Sequence, residues 1–227
     1  MIERVGAIVP AAGASTRMCG IDKLFATLGG RPLLSWCIET LEKRDEVVDV
    51  VIAVAAERME AAEQMRRARG WRKARLVFGG GRRQDSVAAA LRMLGDVEWV
   101  LVHDGDRPFL TDRLIDESIS AARATGVAVA CLPLNDTVKA IDTDGLVLST
   151  PARDTLRAVQ TPQVFRADIM RHSYADIETT VTDDAMLAEL LGYAVRVCPG
   201  SYDNIKVTTP DDLLVAEAIA RRWGGRT

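Results

Sequence analysis

The chain has 227 residues, 48% of them hydrophobic and 27% charged, with a formal net charge of −3. That length suits one domain, residues 1–227, with a full core, and the mixed charge lacks the sustained basic surface that duplex nucleic acid demands, so local cation clusters should serve a small anionic ligand. Cys19, Cys37, Cys131 and Cys198 form no C-x-x-C pair and have no histidine at ligand spacing, no apolar run reaches a membrane span, and no signal-like leader precedes the first strand; a soluble cytoplasmic protein with reduced thiols is expected.

Short β-branched runs at about Val5 to Val9, Val50 to Ala55, Ala74 to Phe78 and Val97 to His103 alternate with helical patterns at about Pro32 to Lys43, Glu57 to Arg69, Arg83 to Leu94 and Thr111 to Thr125. This rhythm predicts an α/β fold, a Rossmann-like, mostly parallel sheet with helices on both faces. Pro32 suits the first turn of its helix; Thr111 suits an N-cap, followed by an apolar stripe of Leu114, Ile115 and Ile119. The rhythm breaks after a strand at Ala128 to Leu132. Thr137 to Ile141 and Leu146 to Thr150, joined by Asp142-Thr143-Asp144-Gly145, read as a β-hairpin within an arm at about 133–157. Two strands are marginal in water, so this arm is expected to pack on another surface. The remainder predicts helices at about Arg166 to Ala175, Asp183 to Leu191 and Pro210 to Arg222, with a strand at Ala194 to Cys198.

In such sheets ligands gather outside the carboxyl ends of the strands. The loop after Val9, Pro10-Ala11-Ala12-Gly13-Ala14, carries almost no side chain and leads to Arg17 and Lys23. A base or phosphate can approach such a backbone closely and meet inward N–H groups. Neither G-x-G-x-x-G nor G-x-x-x-x-G-K-[ST] fits it. Alone, it could equally be a tight strand-to-helix connection with two surface cations.

Four further segments accompany it: Gly79-Gly80-Gly81-Arg82-Arg83-Gln84-Asp85-Ser86-Val87, Val102-His103-Asp104-Gly105-Asp106-Arg107-Pro108, Thr161-Pro162-Gln163-Val164-Phe165 and Asp203-Asn204-Ile205-Lys206-Val207-Thr208. In this order and spacing, over nearly the whole chain, they resemble the 2-C-methyl-D-erythritol 4-phosphate cytidylyltransferases, enzymes of the non-mevalonate isoprenoid pathway that join CMP from CTP to a branched polyol phosphate. The resemblance implies that Arg17 and Lys23 hold the triphosphate and the transition state, and that Lys206 approaches the α-phosphate. It also places Pro10, Ala11, Ala12, Gly13, Ala14, Gly79, Gly80, Gly81, Arg83 and Ser86 around the nucleotide, and Asp104, Arg107, Thr137, Arg153 and Thr182 on the acceptor. Thr137 and Arg153 flank the hairpin, which by the same resemblance clasps a second subunit to form a homodimer.

The chemistry asks mainly for cations, because a phosphomonoester arrives largely ionised, with a second pKa near ~6, and needs no general base. Mg²⁺, or another divalent ion, is expected to shield the triphosphate, with Asp104 and Asp203 as candidate ligands, although Asp104 also suits a strand-end capping role. His103 is expected to orient backbone and His172 to be structural. The chain departs from the family pattern at Asp106, usually small, at Asp22, usually proline, and in an Arg17 to Lys23 spacing one residue short. Asp106 is expected to point away from the acceptor phosphate. Alternative readings are transfer to another polyol phosphate such as ribitol 5-phosphate, a glycosyltransferase using Asp104-Gly105-Asp106 as a D-x-D metal motif, and a non-catalytic dimeric nucleotide-binding scaffold.

Overall fold

The computed structural model describes residues 3–13, 24–175 and 179–224. Seven strands form one sheet in the order β11-β7-β10-β6-β1-β4-β5. They are β1 (Val5–Ala11), β4 (Val47–Val54), β5 (Ala74–Phe78), β6 (Trp99–Val102), β7 (Val127–Pro133), β10 (Arg157–Arg166) and β11 (Arg196–Pro199). All neighbours are parallel except β10, which runs antiparallel to both β6 and β7. Among the described residues no helix is long and apolar enough to cross a membrane.

The two-residue period of the strands sorts their side chains onto two faces. Val5, Ala7, Val9 and Ala11 of β1, Val50, Ile52 and Val54 of β4, and Leu101 of β6 share a cluster with Leu34, Cys37, Ile38 and Leu41 of helix α1 (Leu33–Lys43), Met65 of α2 (Met59–Arg69) and Leu114, Ile115 and Ile119 of α4 (Asp112–Thr125). The alternate residues, Ile8, Val51, Ala53, Val100 and Val102, pack with Val87, Ala90 and Leu91 of α3 (Arg83–Met93), Ile169 and Met170 of α5 (Ala167–Ser173) and Leu187 of α6 (Asp184–Leu190). Both faces of the sheet are thus covered, and β1, an interior strand between β6 and β4, is apolar throughout. Gly6 is needed there: a Cβ would lie 2.6 Å from Leu94 Cδ2 at the end of α3.

The helix stripe of α4 falls as its sequence predicts, with Thr111 Oγ1 accepting from the Leu114 N–H at 3.1 Å and Gly126 ending the helix at φ +86°. Pro32 differs: it flanks α1 rather than entering its first turn, because β2 (Thr27–Leu28) and β3 (Arg31–Pro32) form a tight hairpin, with Gly29 and Gly30 both at positive φ. The larger surprise is β10. Its run of Gln160, Thr161, Pro162 and Gln163 lacks the apolar pattern of an interior strand, yet the strand sits between β6 and β7 with those three polar side chains buried. Between Val159 and Gln163 its register against β7 shifts, which releases these residues from regular pairing with that strand.

Two smaller units complete the architecture. Helix α7 (Pro210–Gly224) packs Ala216, Ile219 and Ala220 on Leu28, Leu33, Trp36, Phe109 and Val207, with the Trp36, Phe109 and Trp223 rings in mutual contact at 5.1 to 6.3 Å. The predicted arm is a separate two-stranded sheet, β8 (Ala140–Ile141) with β9 (Val147–Ser149), shorter than its sequence pattern. Its turn is closed by Asp142 Oδ1, which accepts from the N–H groups of Asp144 and Leu146, and by Gly145 at φ +84°.

Candidate active site

At the carboxyl ends of the strands, the small-residue loops meet. Pro10 O of β1 accepts from Gly105 N at 3.2 Å, which ties the turn after β6 to β1, and Gly79 N donates to Val54 O, which ties the turn after β5 to the end of β4. A Cβ on Gly79 would lie 2.3 Å from the Ala12 Cβ, and one on Gly80 2.3 Å from the Asp85 Cβ; these glycines let the Gly79–Gly81 turn close against the Ala12 loop and the start of α3. Ser86 is buried and its hydroxyl accepts from Gly80 N at 3.1 Å, so its first task is to hold this turn. Gly13 carries its carbonyl to Arg58 Nη1 at 2.7 Å. Ala14, Arg17 and Lys23 lie outside the described residues.

The charged centre is Asp104, just past β6. Its Oδ1 accepts from Arg83 Nε at 2.9 Å and its Oδ2 from Lys206 Nζ at 3.0 Å, with Arg107 Nε 3.6 Å away. Burial opposes ionisation of this carboxyl, but Arg83, Lys206 and Arg107 together hold it well below the usual carboxylate range. Asp106 is also inward, 3.9 Å from Lys206 Nζ, and therefore shares that ammonium rather than turning out to solvent. The Lys206 side chain stays 37% exposed, which leaves it able to swing toward an incoming anion.

His103 is fully buried, and desolvation pushes it down to about 4, so the ring is neutral near pH 7. Its Nε2 then carries the proton toward Arg107 O at 2.9 Å, leaving Nδ1 to accept from the Thr161 hydroxyl at 3.1 Å, while Thr161 Oγ1 accepts from Asp104 N at 3.1 Å. This chain fixes the backbone on either side of Asp104 and gives His103 the orienting role its sequence position suggested. His172, as expected, is remote and pairs with the Tyr193 hydroxyl.

Lys206 is placed by a well-anchored segment. Asn204 is buried, its Nδ2 donating to Thr161 O at 2.7 Å and its carbonyl accepting from Arg107 Nη1 at 2.8 Å; Val207 N donates to Asp106 O at 2.9 Å. The segment then enters α7 through Asp212 Oδ2, which accepts from Thr208 N and Thr209 N at 2.8 Å each. Asp203 takes no part in the charged centre: its carboxylate accepts from Arg222 Nη2 at 2.6 Å and Trp223 Nε1 at 3.3 Å and so faces α7.

These positions bear on a metal. Both Asp104 oxygens are engaged by cations, Asp203 is turned to α7, and no cluster of three or more His, Cys, Asp or Glu capable of holding an ion occurs among the described residues. The donor set does not fit a protein-held Mg²⁺, nor the paired grip of a D-x-D motif.

Thr137 and Arg153 lie on the exposed arm, where Arg153 Nη1 donates to Asn135 O at 2.6 Å. Thr182 is exposed, but its neighbours tie it near the centre: Val181 N donates to Gln84 Oε1, Gln163 Nε2 to Asp183 Oδ2, and Arg83 Nη1 lies 2.8 Å from Asp184 Oδ2. Sequence reasoning passed over Gln84, Gln160, Thr161, Gln163, Asp184 and Asn204 as site residues. The available signal was a polar triplet between the apolar residues Val159 and Val164, which in a buried strand must satisfy its groups inside the protein.

Comparisons with known proteins identify the family and the fold. The family model for 2-C-methyl-D-erythritol 4-phosphate cytidylyltransferase matches residues 5–222. A protein of that name from Dehalococcoides mccartyi is 44% identical over 201 residues, covering 88% of each chain, and one from Frankia casuarinae is 44% identical over 223 residues, covering 96% of this chain and 82% of the relative. Among solved structures, 4-diphosphocytidyl-2C-methyl-D-erythritol synthase from Anaerococcus prevotii superposes with a TM-score of 0.86 at 31% identity, covering 98% of this chain and all of the other. The Thermus thermophilus cytidylyltransferase gives a TM-score of 0.76 at 32% identity over 97% of this chain and all of the other. With its small-residue rim and its charged centre in place, this chain belongs to the 2-C-methyl-D-erythritol 4-phosphate cytidylyltransferase family.

Proposed function

We propose that the phosphate of 2-C-methyl-D-erythritol 4-phosphate displaces pyrophosphate from CTP at this rim, in line at the α-phosphorus. The observation that carries this reading is the convergence of Arg83, Arg107 and Lys206 on Asp104 beside the two small-residue turns. The cytosine and ribose rest against Pro10, Ala11, Ala12, Gly13 and Ala14 and against Gly79, Gly80 and Gly81, held in place by Ser86. Asp104 and Arg107 face the acceptor. Lys206 turns from its carboxylates to the α-phosphate, where charge builds as the phosphorus becomes five-coordinate. No side chain need remove a proton, because the attacking phosphate is already an anion at neutral pH.

Arg83, Arg107 and Lys206 are each already engaged by Asp104, Asp106 or Asp184, so a triphosphate calls for further cations. In our reading these are Arg17 and Lys23, and Mg²⁺ enters with CTP as part of the substrate. The arm completes the site: its exposed apolar residues cover those of a second copy, and Thr137 and Arg153 of one protomer reach the acceptor beside Thr182 of the other. We place this reaction in the cytoplasm, as the cysteine spacing suggests.

Pyrophosphate release with CTP tests the reading. The purified chain should turn over 2-C-methyl-D-erythritol 4-phosphate and fail to use ribitol 5-phosphate at a comparable kcat/KM. No release with either acceptor would leave only a nucleotide-binding scaffold.

A further inference from the structure

Behind the charged centre lies a second, fully buried carboxylate that the reaction as described does not use. Asp184 opens α6 with 0% exposure: its Oδ1 accepts from the Tyr174 hydroxyl, and its Oδ2, which makes no hydrogen bond among the described residues, forms an ion pair with Arg83 Nη1 at 2.8 Å. Arg83 therefore spans two carboxylates, with Nε on Asp104 and Nη1 on Asp184. A guanidinium held at Nε by a hydrogen bond and at Nη1 by an ion pair has less freedom to rotate, which restricts where the Asp104 carboxylate sits. The second oxygen of Asp104 holds Lys206. The contacts thus run without a break from Tyr174 through Asp184, Arg83 and Asp104 to Lys206.

Burying a carboxylate beneath a catalytic centre is costly unless it is paired, and an apolar residue would fill the same space more cheaply. We propose that Asp184, oriented by Tyr174, is a positioning residue: it locks Arg83 so that Asp104 presents Lys206 at the reacting phosphate. It touches no substrate itself. The proposal rests on the reading of Lys206 as the α-phosphate donor.

The test is steady-state pyrophosphate release by the full-length protein, with kcat corrected for folded protein and KM measured for CTP. Asp184→Asn keeps the shape and removes the carboxyl group, whose ionisation is opposed by burial and favoured by Arg83. It should lower kcat by about tenfold or more while moving KM for CTP less than about threefold, because misplacing a donor by a fraction of an ångström acts on the transition state. Tyr174→Phe should give a smaller loss in the same direction. On an Arg83→Gln background, either change should add nothing, since the route is already cut. A Lys206→Ala variant measured alongside separates the two readings. If it retains near-normal kcat, the assignment of Lys206 fails and this proposal falls with it. If Lys206→Ala is inactive but Asp184→Asn loses only thermal stability, the positioning role alone is wrong. Equal losses with and without Arg83 would likewise overturn it. Should Asp184→Asn not fold, Tyr174→Phe carries the same comparison.

Discussion

The charged centre and the β8–β9 arm are opposite kinds of structure. Around Asp104, residues as far as 102 positions apart in sequence meet at hydrogen-bonding distance, and ion pairs within the chain hold the centre together, although the buried Arg107 Nε, Asp184 Oδ2 and Asn204 Oδ1 make no hydrogen bond among the described residues. In the arm the contacts are local, such as Lys139 Nζ to Thr150 Oγ1 and Arg153 Nη1 to Asn135 O, while Leu146 and Leu148 are each 67% exposed and Ile141 59%. The first region is stabilised by a core that one chain supplies. The second has turn chemistry and an apolar surface but nothing beneath it, and an isolated two-stranded ribbon of this size is marginal by itself. The difference teaches that the reaction centre can be assembled before the site is complete.

The comparison breaks most visibly if the centre is not where charge is handled. Lys206→Ala should lower kcat by about 10²-fold or more, the usual cost of one preorganised donor. Asp104→Ala should do at least as much, because it leaves three cations without their shared carboxylate. Pyrophosphate release measured on folded protein checks both; near-normal rates would make the cluster merely structural.

A mixing experiment asks next whether the arm serves a neighbour's centre. Arg153→Ala and Lys206→Ala proteins, each inactive alone, should recover about a quarter of native activity after subunit exchange, since half of the dimers are mixed and each carries one intact site. Absence of recovery with exchange confirmed by mass would place Arg153 in the same chain's site. A gentler probe is to charge the arm. Leu146→Glu with Leu148→Glu should shift the protein to monomer in sedimentation velocity and lower the melting temperature by only a few degrees, because substitutions at exposed positions away from a core are usually worth about half a kcal/mol. A collapse of the fold would show that the arm belongs to the core after all.

The smallest expected effect concerns Asp106. It shares Lys206 at the longer distance of 3.9 Å, with Asp104 retaining the closer contact, so Asp106→Ala should change kcat/KM by less than about tenfold. A loss as large as that of Asp104→Ala would mean that both carboxylates set the lysine.

Much of this molecule is legible in its sequence, for reasons that are local. Alternating apolar runs specify strands and their two faces, Thr111 and Gly126 bound a helix, and Asp142 with Gly145 specifies a turn, because each depends on the steric and hydrogen-bonding habits of a few adjacent residues. The small residues of Pro10–Gly13 and Gly79–Gly81 announce a close backbone approach in the same way. Other assignments depended on the company a residue keeps. Asp203, a candidate metal ligand by its motif, is drawn to α7 by Arg222 and Trp223, partners 19 and 20 positions away. Strand β10 carries Gln160, Thr161 and Gln163 where local pattern predicts no interior strand, because distant Ser201, Asn204 and Asp183 satisfy them. Asp184 looks like an ordinary first-turn acid until Arg83 and Tyr174 close over it. Sequence by itself determined most of the elements, the sheet class and the kinds of residue at the rim. Tertiary structure decided which charges face one another, because a carboxylate's role is set by the cations and dipoles that folding brings within a few ångströms, and those come from far along the chain.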